Sequence, residues 1–175
     1  MSFRSRGLRG STFEEMINLT NNVYMEKSLA MIQKIPTPIT PVSLNSEGQI
    51  TLAYFEKKST IDYIGAVQGI PICFDAKETT LTRFPLQNVH KHQIEFMENF
   101  EKQKGVAFFL VNFLKYNKCF YLPFKTLKMY FDDSENGGRK SIPYDAFDEN
   151  YIISSKNGCY FHYLEAINKD LIERG

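Results

Sequence analysis

Tryptophan is absent from this chain, and cysteine and histidine occur only three times each in 175 residues. Cys73, Cys119 and Cys159 are odd in number and far apart, which argues against a disulfide framework and for a reducing cytoplasm. Three histidines leave no room for a Cys/His zinc site of the usual spacing. No apolar run approaches the roughly 20 residues that span a bilayer, and no secretory apolar segment follows Met1. Excess charge of one sign is lacking as well. The 21 basic and 20 acidic residues leave +1, which makes whole-chain disorder a poor description and does not advertise a nucleic-acid binder. What is present is core material: 43% of residues are hydrophobic, with 15 Phe and 10 Tyr. The chain therefore reads as a single cytoplasmic domain over residues 1–175.

The charges are less even than their sum. Arg4, Arg6 and Arg9 precede the first acid, Glu14, and Lys102, Lys104, Lys115, Lys118, Lys125 and Lys128 form a stretch without an acid. Acids gather at Asp132, Asp133 and Glu135, and again at Asp145, Asp148 and Glu149. Solvated faces are the ordinary reading of such runs. The alternative is a phosphate-facing surface on a protein whose acids serve elsewhere, for instance on a metal.

Ser11 or Thr12 suits a helix cap, with Glu14 or Glu15 closing a capping box. The apolar positions Phe13, Met16, Ile17, Val23, Tyr24 and Met31 predict one long helix to about Lys34, ended by Pro36, Pro38 and Pro41. From Ile35 to Phe55 the chain reads as a projecting arm, with a strand, a turn at Asn45-Ser-Glu-Gly48 and a second strand. Two further strands are expected at 58–65 and 71–77, joined through Gly65–Gly69. Pro85 predicts the start of a helix running to about Gln103. The continuous apolar run Val106–Phe113 predicts a central strand, followed by a strand from Cys119 to Phe124. A short helix from Thr126, a Gly137-Gly138 loop and a last helix over about Tyr163–Ile172 complete an α/β fold with a mixed central sheet.

The chemistry concentrates between Thr60 and Gln93. Asp75 and Lys77 alternate onto one face of a strand, and folding the hairpin brings Asp62 toward Asp75. Two carboxylates at one place repel, and a divalent cation bound through oxygen offsets that cost. Such a cation polarises a phosphate and activates water, while a lysine stabilises the added charge. As a pattern, acid-x-Lys is weak: the chain's 20 acids give about two chance matches. The bland reading of Asp75 and Lys77 is a surface ion pair.

Longer strings are more specific. Ser59-Thr-Ile-Asp62-Tyr-Ile-Gly65, Phe74-Asp-Ala-Lys-Glu-Thr79 and Phe84-Pro-Leu-Gln-Asn-Val-His-Lys-His-Gln93 resemble the RecU-type Holliday junction resolvases. So do Arg9-Gly10, Thr20-Asn21, Lys34-Ile-Pro-Thr-Pro38 and Gly138-Arg-Lys-Ser-Ile142, in order along nearly the whole chain. The resemblance implies a restriction-endonuclease-like core of the D-(D/E)xK type with a β-hairpin stalk at about 35–55. It implies a homodimer that cuts four-way junction DNA with Mg²⁺, Mn²⁺ being a possible substitute, and a recombinase or branch-migration helicase as a further partner. It implies metal ligation by Thr60, Asp62, Asp75 and Gln93, with Lys77 stabilising the transition state and Glu14 or Glu15 reaching the same place. His90 and His92, expected on different sides of their helix, are read as packing or surface residues.

Three departures bear on substrate choice. No Lys or Arg lies between Val42 and Phe55, so grip on DNA is expected from Arg4, Arg6 and Arg9 and from the stretch that includes Lys102, Lys104, Lys115 and Lys118. Asp75 stands where the family usually has Glu. The segment ahead of Arg9 is shorter than the family's leading arm. The alternatives are a nuclease of the same fold acting on other DNA structures, and a junction- or recombinase-binding module without catalysis.

Overall fold

The computed structural model describes residues 12–55 and 61–175. Along the chain lie α1 (Thr12–Glu26), β1 (Ala30–Lys34), β2 (Ile39–Leu44), β3 (Ile50–Phe55), β4 (Tyr63–Val67) and β5 (Ile70–Thr79). Then come β6 (Arg83–Pro85), α2 (Lys91–Lys102), β7 (Val106–Phe113), β8 (Lys118–Pro123) and α3 (Phe124–Glu135), followed by β9 (Ser141–Pro143), β10 (Ile152–Ile153) and α4 (Leu164–Arg174). Six strands form the central sheet in the order β1-β4-β5-β7-β8-β10. Only β5 and β7 run parallel, with α2 in their crossover, so the sheet is mixed as the sequence suggests.

Both faces of the sheet are covered, which is why β7 is an unbroken apolar run. Val106, Phe108 and Leu110 join Phe74, Tyr121 and Tyr163 in a core that includes Ile17 of α1 and Ile167 of α4. Ala107, Phe109, Val111 and Phe113 point the other way, into a core with Met97 of α2 and Leu127 and Phe131 of α3. On the first face a ladder of stacked rings crosses the strands. Centroids are 4.6 Å apart for Tyr63–Phe74, 4.8 Å for Phe74–Phe108, 4.4 Å for Phe108–Tyr121 and 5.3 Å for Tyr121–Tyr151. Each such pair adds about 1 kcal/mol to what burial supplies.

Two boundaries differ from the sequence reading. The first helix stops at Glu26 instead of reaching Lys34; Ser28 takes a positive φ of 54° and the chain turns back as β1. The turn is closed locally, by the Leu29 N–H donating to the Tyr24 carbonyl at 2.9 Å and the Ser28 N–H to the Met25 carbonyl at 3.0 Å, and β1 then pairs with β4. The Gln68 side chain adds bonds to the carbonyls of Ser28 and Leu29 at 3.0 and 3.1 Å. The helix expected from Pro85 begins at Lys91, because Pro85 ends β6, which pairs with β9. The Ser11 cap lies outside the described residues. The arm is a hairpin, as expected: β2 and β3 form their own two-stranded sheet, with Asn45 Oδ1 accepting from the N–H groups of Glu47 and Gln49 at its tip. Most of its side chains are exposed, including Val42, Leu44, Leu52, Tyr54 and Phe55. Among the described residues no helix is long and apolar enough to cross a membrane.

Candidate active site

The β4–β5 hairpin builds the site. Gln68 and Gly69 both take positive φ, 48° and 87°, the two-residue turn that matches strand twist and sets register. That register pairs Tyr63 with Phe74, and the next step outward puts Asp62 beside Asp75. The Asp62 N–H donates to Asp75 Oδ1 at 3.0 Å, and the Ala76 N–H donates to Asp62 Oδ2 at 3.1 Å. Asp75 has no exposed surface. Its Oδ2 meets the Lys77 ammonium at 2.5 Å and accepts from Gln93 Nε2 at 3.0 Å. Gln93 is brought there by α2: its Oε1 accepts from the His90 N–H at 3.0 Å, while the His90 side chain accepts from the Gln93 N–H, a reciprocal helix cap.

Burial and the Asp75 charge push the Asp62 carboxyl up to about 6, against the opposing pull of Lys77. Burial works against the Lys77 ammonium, but the Asp75 charge and hydrogen bond, together with Asp62 and Glu14, outweigh it and raise its pKa. Tyr63, beside Asp62, donates to the Glu14 carbonyl at 3.4 Å and to Asn18 Oδ1 at 3.1 Å. Its phenol is raised by burial first and by Glu14 second.

Asp62, Asp75, Lys77 and Gln93 therefore converge. Thr60 lies outside the described residues, as do Arg4, Arg6 and Arg9. Glu14 is the half-buried member of its pair, ion-paired to Lys34 at the edge of the site, whereas Glu15 is exposed. His90 and His92 do not lie on different sides of the helix: their rings stack with centroids 5.4 Å apart, because His90 is the cap residue and not yet helical. The basic stretch is not one surface. Lys102 and Lys104 precede β7 and Lys115 follows it, so the strand's length, roughly 25 Å, separates them. Lys102 lies 3.9 Å from Glu98, and Lys118 lies 3.6 Å from Glu149. The sequence reading missed Lys34, taken as the end of a helix, and the Ile35 N–H, which donates to the Asp62 carbonyl at 2.8 Å. The string Lys34-Ile-Pro was the available signal.

A large cavity lies away from this cluster. It measures about 890 Å³ and is lined by Glu101, Lys102, Tyr121, Lys128, Asp170 and Arg174 among others. Arg174 bridges Glu101 and Asp170 there at 2.8 Å each. Among the described residues no three His, Cys, Asp or Glu side chains gather closely enough to hold a metal by themselves.

Comparison with known proteins places these residues in a family context. The model of the family Recombination protein U, RecU, matches residues 8–169. A Holliday junction resolvase RecU of Pediococcus pentosaceus is 45% identical over 169 residues, covering 93% of this chain and 84% of that protein. One of Staphylococcus aureus is 36% identical over 173 residues, covering 95% and 83%. Among solved structures, the Holliday junction resolvase Hjc of Archaeoglobus fulgidus aligns with a TM-score of 0.41 and 10% identity, over 66% of this chain and 78% of that one.

Proposed function

This chain belongs to the RecU family, Recombination protein U, and on that premise we propose that it is a structure-specific endonuclease. It resolves Holliday junctions in DNA recombination and repair by paired, symmetric phosphodiester hydrolysis. The observation that carries the reading is the convergence of Asp62, Asp75 and Lys77 on one position of the sheet in a chain of that family.

The donors at this position suit a hard cation: two adjoining carboxylates and the amide oxygen of Gln93, all oxygen. A dication would also relieve the repulsion and burial that raise Asp62 to about 6. Asp62, Asp75 and Gln93 would hold Mg²⁺, or Mn²⁺ in its place, with Thr60 as the fourth ligand by family resemblance. Gln93 would ligate through Oε1, the atom that accepts from the His90 N–H. When bound, the cation polarises the scissile phosphate and lowers the pKa of the attacking water.

The chain's own groups do the rest. The Asp62 N–H fixes Asp75 Oδ1, and Gln93 Nε2 holds the other oxygen, so the buried carboxylate has one orientation. A raised pKa keeps Lys77 an ammonium at neutral pH. Its role is therefore to stabilise charge on the phosphorane and not to take a proton. The β2–β3 hairpin is the stalk that enters the junction centre. Two copies about a two-fold axis each cut one strand, which accounts for paired incisions in a two-fold substrate. The setting is the cytoplasm, and the active unit is a single domain per subunit.

The test is cleavage of a mobile four-way junction beside a linear duplex of the same sequence, with Mg²⁺ and with EDTA. Paired symmetric nicks on the junction alone, abolished by EDTA and by Asp75→Ala, are expected. Cutting of both substrates would leave a nuclease without junction selectivity. Tight junction binding in Ca²⁺ without any cutting in Mg²⁺ would leave a binding module.

A further inference from the structure

Three hydrogen bonds hold the Asp62 backbone and carboxylate, and one of them comes from the root of the stalk. The Asp62 N–H goes to Asp75 and its carboxylate accepts from Ala76, both inside the hairpin that carries the site. Its carbonyl accepts from the Ile35 N–H at 2.8 Å. Ile35 follows Lys34, whose partner across the sheet is Tyr63, so this bond continues the β1–β4 ladder by one step. It is also where the chain leaves the sheet for the hairpin.

The residue is well placed to transmit position. Pro36 follows it, and the proline ring disfavours the helical region for Ile35, keeping its backbone extended at the point where the β1–β4 register aims its N–H at Asp62. The Ile35 side chain is half-buried against the α2–α3 core, whereas Pro36, Thr37 and Pro38 are exposed. Ile35 is thus the last anchored residue before the stalk. On the core side, Tyr63 next to Asp62 is tied to α1 through Glu14 and Asn18. Beyond β3 the chain re-enters the described core at Ile61, immediately before Asp62. The segment that leads into the hairpin therefore holds the backbone of the catalytic aspartate by a hydrogen bond.

We propose that Ile35 is a positioning residue: its N–H, in a backbone that Pro36 keeps extended, couples the seating of the stalk on the substrate to the placement of Asp62. The stalk then sets turnover as well as binding, and a substrate that does not seat it is cut slowly even when held. This rests on the reading of the chain as a resolvase whose stalk meets the junction.

The test uses the full chain with Pro36→Gly, which frees the Ile35 backbone at an exposed position and removes no hydrogen-bond donor. Junction Kd is measured in Ca²⁺ and the single-turnover cleavage rate at saturating enzyme in Mg²⁺. The expected result is an unchanged Kd with a rate reduced roughly tenfold, as misplacement of a reacting group well under 1 Å suffices for such a loss. Pro36→Ala, which lifts the same restriction from Ile35 without glycine's added freedom at position 36, is expected to lower the rate likewise with Kd unchanged, and it replaces Pro36→Gly if the glycine variant melts early. A weakened Kd with an unchanged saturated rate overturns the proposal, since the stalk root then acts in binding alone. Unchanged values of both overturn it as well. Failure of the underlying reading shows separately, as a wild-type chain that does not cut the junction.

Discussion

Asp75 is wholly buried and accepts three hydrogen bonds or charge contacts, from the Asp62 N–H, Gln93 and Lys77. A buried carboxylate needs such partners, since an unpaired one carries a desolvation cost of several kcal/mol. His162 shows the opposite solution at the far side of the core. Its side chain is 9% exposed, its Nδ1 lies 3.1 Å from the Tyr24 hydroxyl, and burial lowers its pKa, with Lys156 and Lys27 adding to that and Glu165 opposing it. The folded chain holds the imidazole neutral, so the unfolded chain binds the proton first. Its contribution to stability is complete above the unfolded value of 6.5 and falls as pH drops through and below it. Urea unfolding from about pH 7.5 to about pH 5 should show wild type losing more stability than His162→Gln. Equal losses would remove His162 as the titrating group.

At the scale of elements, the edge strand β1 depends on one glycine. A Cβ at Gly65 would stand 2.1 Å from the Met31 carbonyl oxygen and 2.7 Å from Ile32 Cα. Both are backbone atoms, so β1 would have to move away from β4 rather than a side chain adjusting. Gly65→Ala is expected to lower the free energy of unfolding by about 2 kcal/mol, read from the urea midpoint at constant m-value. The displaced strand leads directly into Ile35, so junction cleavage should fall in the same variant. The stalk has a different character. Its β2–β3 pairing is local, and its surface is apolar and aromatic, with Phe55 70% exposed. With no Lys or Arg from Val42 to Phe55, it has no cation to offer a phosphate along that span.

For the whole molecule, the net charge of +1 means that affinity for DNA depends on where the lysines fall and which are already paired. Lys102 and Lys128 line the large cavity, with Glu98 and Asp132 as ion-pair partners. Lys115 sits in the β7–β8 turn, with the Tyr116 ring 5.9 Å from its ammonium. Junction binding measured against salt should lose about one unit of slope in Lys115→Ala and less in Lys102→Ala. Equal slopes in both variants and wild type would place the phosphate contacts elsewhere.

Much of the architecture was legible in the residues because it follows from short-range pattern. The unbroken apolar run of β7 announces a strand buried on both faces, the alternation in β5 puts Asp75 and Lys77 on one side, and the Asn45–Gly48 turn closes the stalk. The strings around Asp62, Asp75 and Gln93 carried the family resemblance without any coordinates. Tertiary structure alone decided the rest. The first helix has an apolar periodicity that continues past Glu26, and pairing of residues 30–34 with β4, some thirty residues later in the chain, draws them into the sheet instead. The lysines that look contiguous in sequence are dispersed because a strand of extended backbone runs between them. The bond from Ile35 to Asp62 joins two residues whose side chains give no sign of it, since backbone hydrogen bonds depend on register and register depends on the whole sheet.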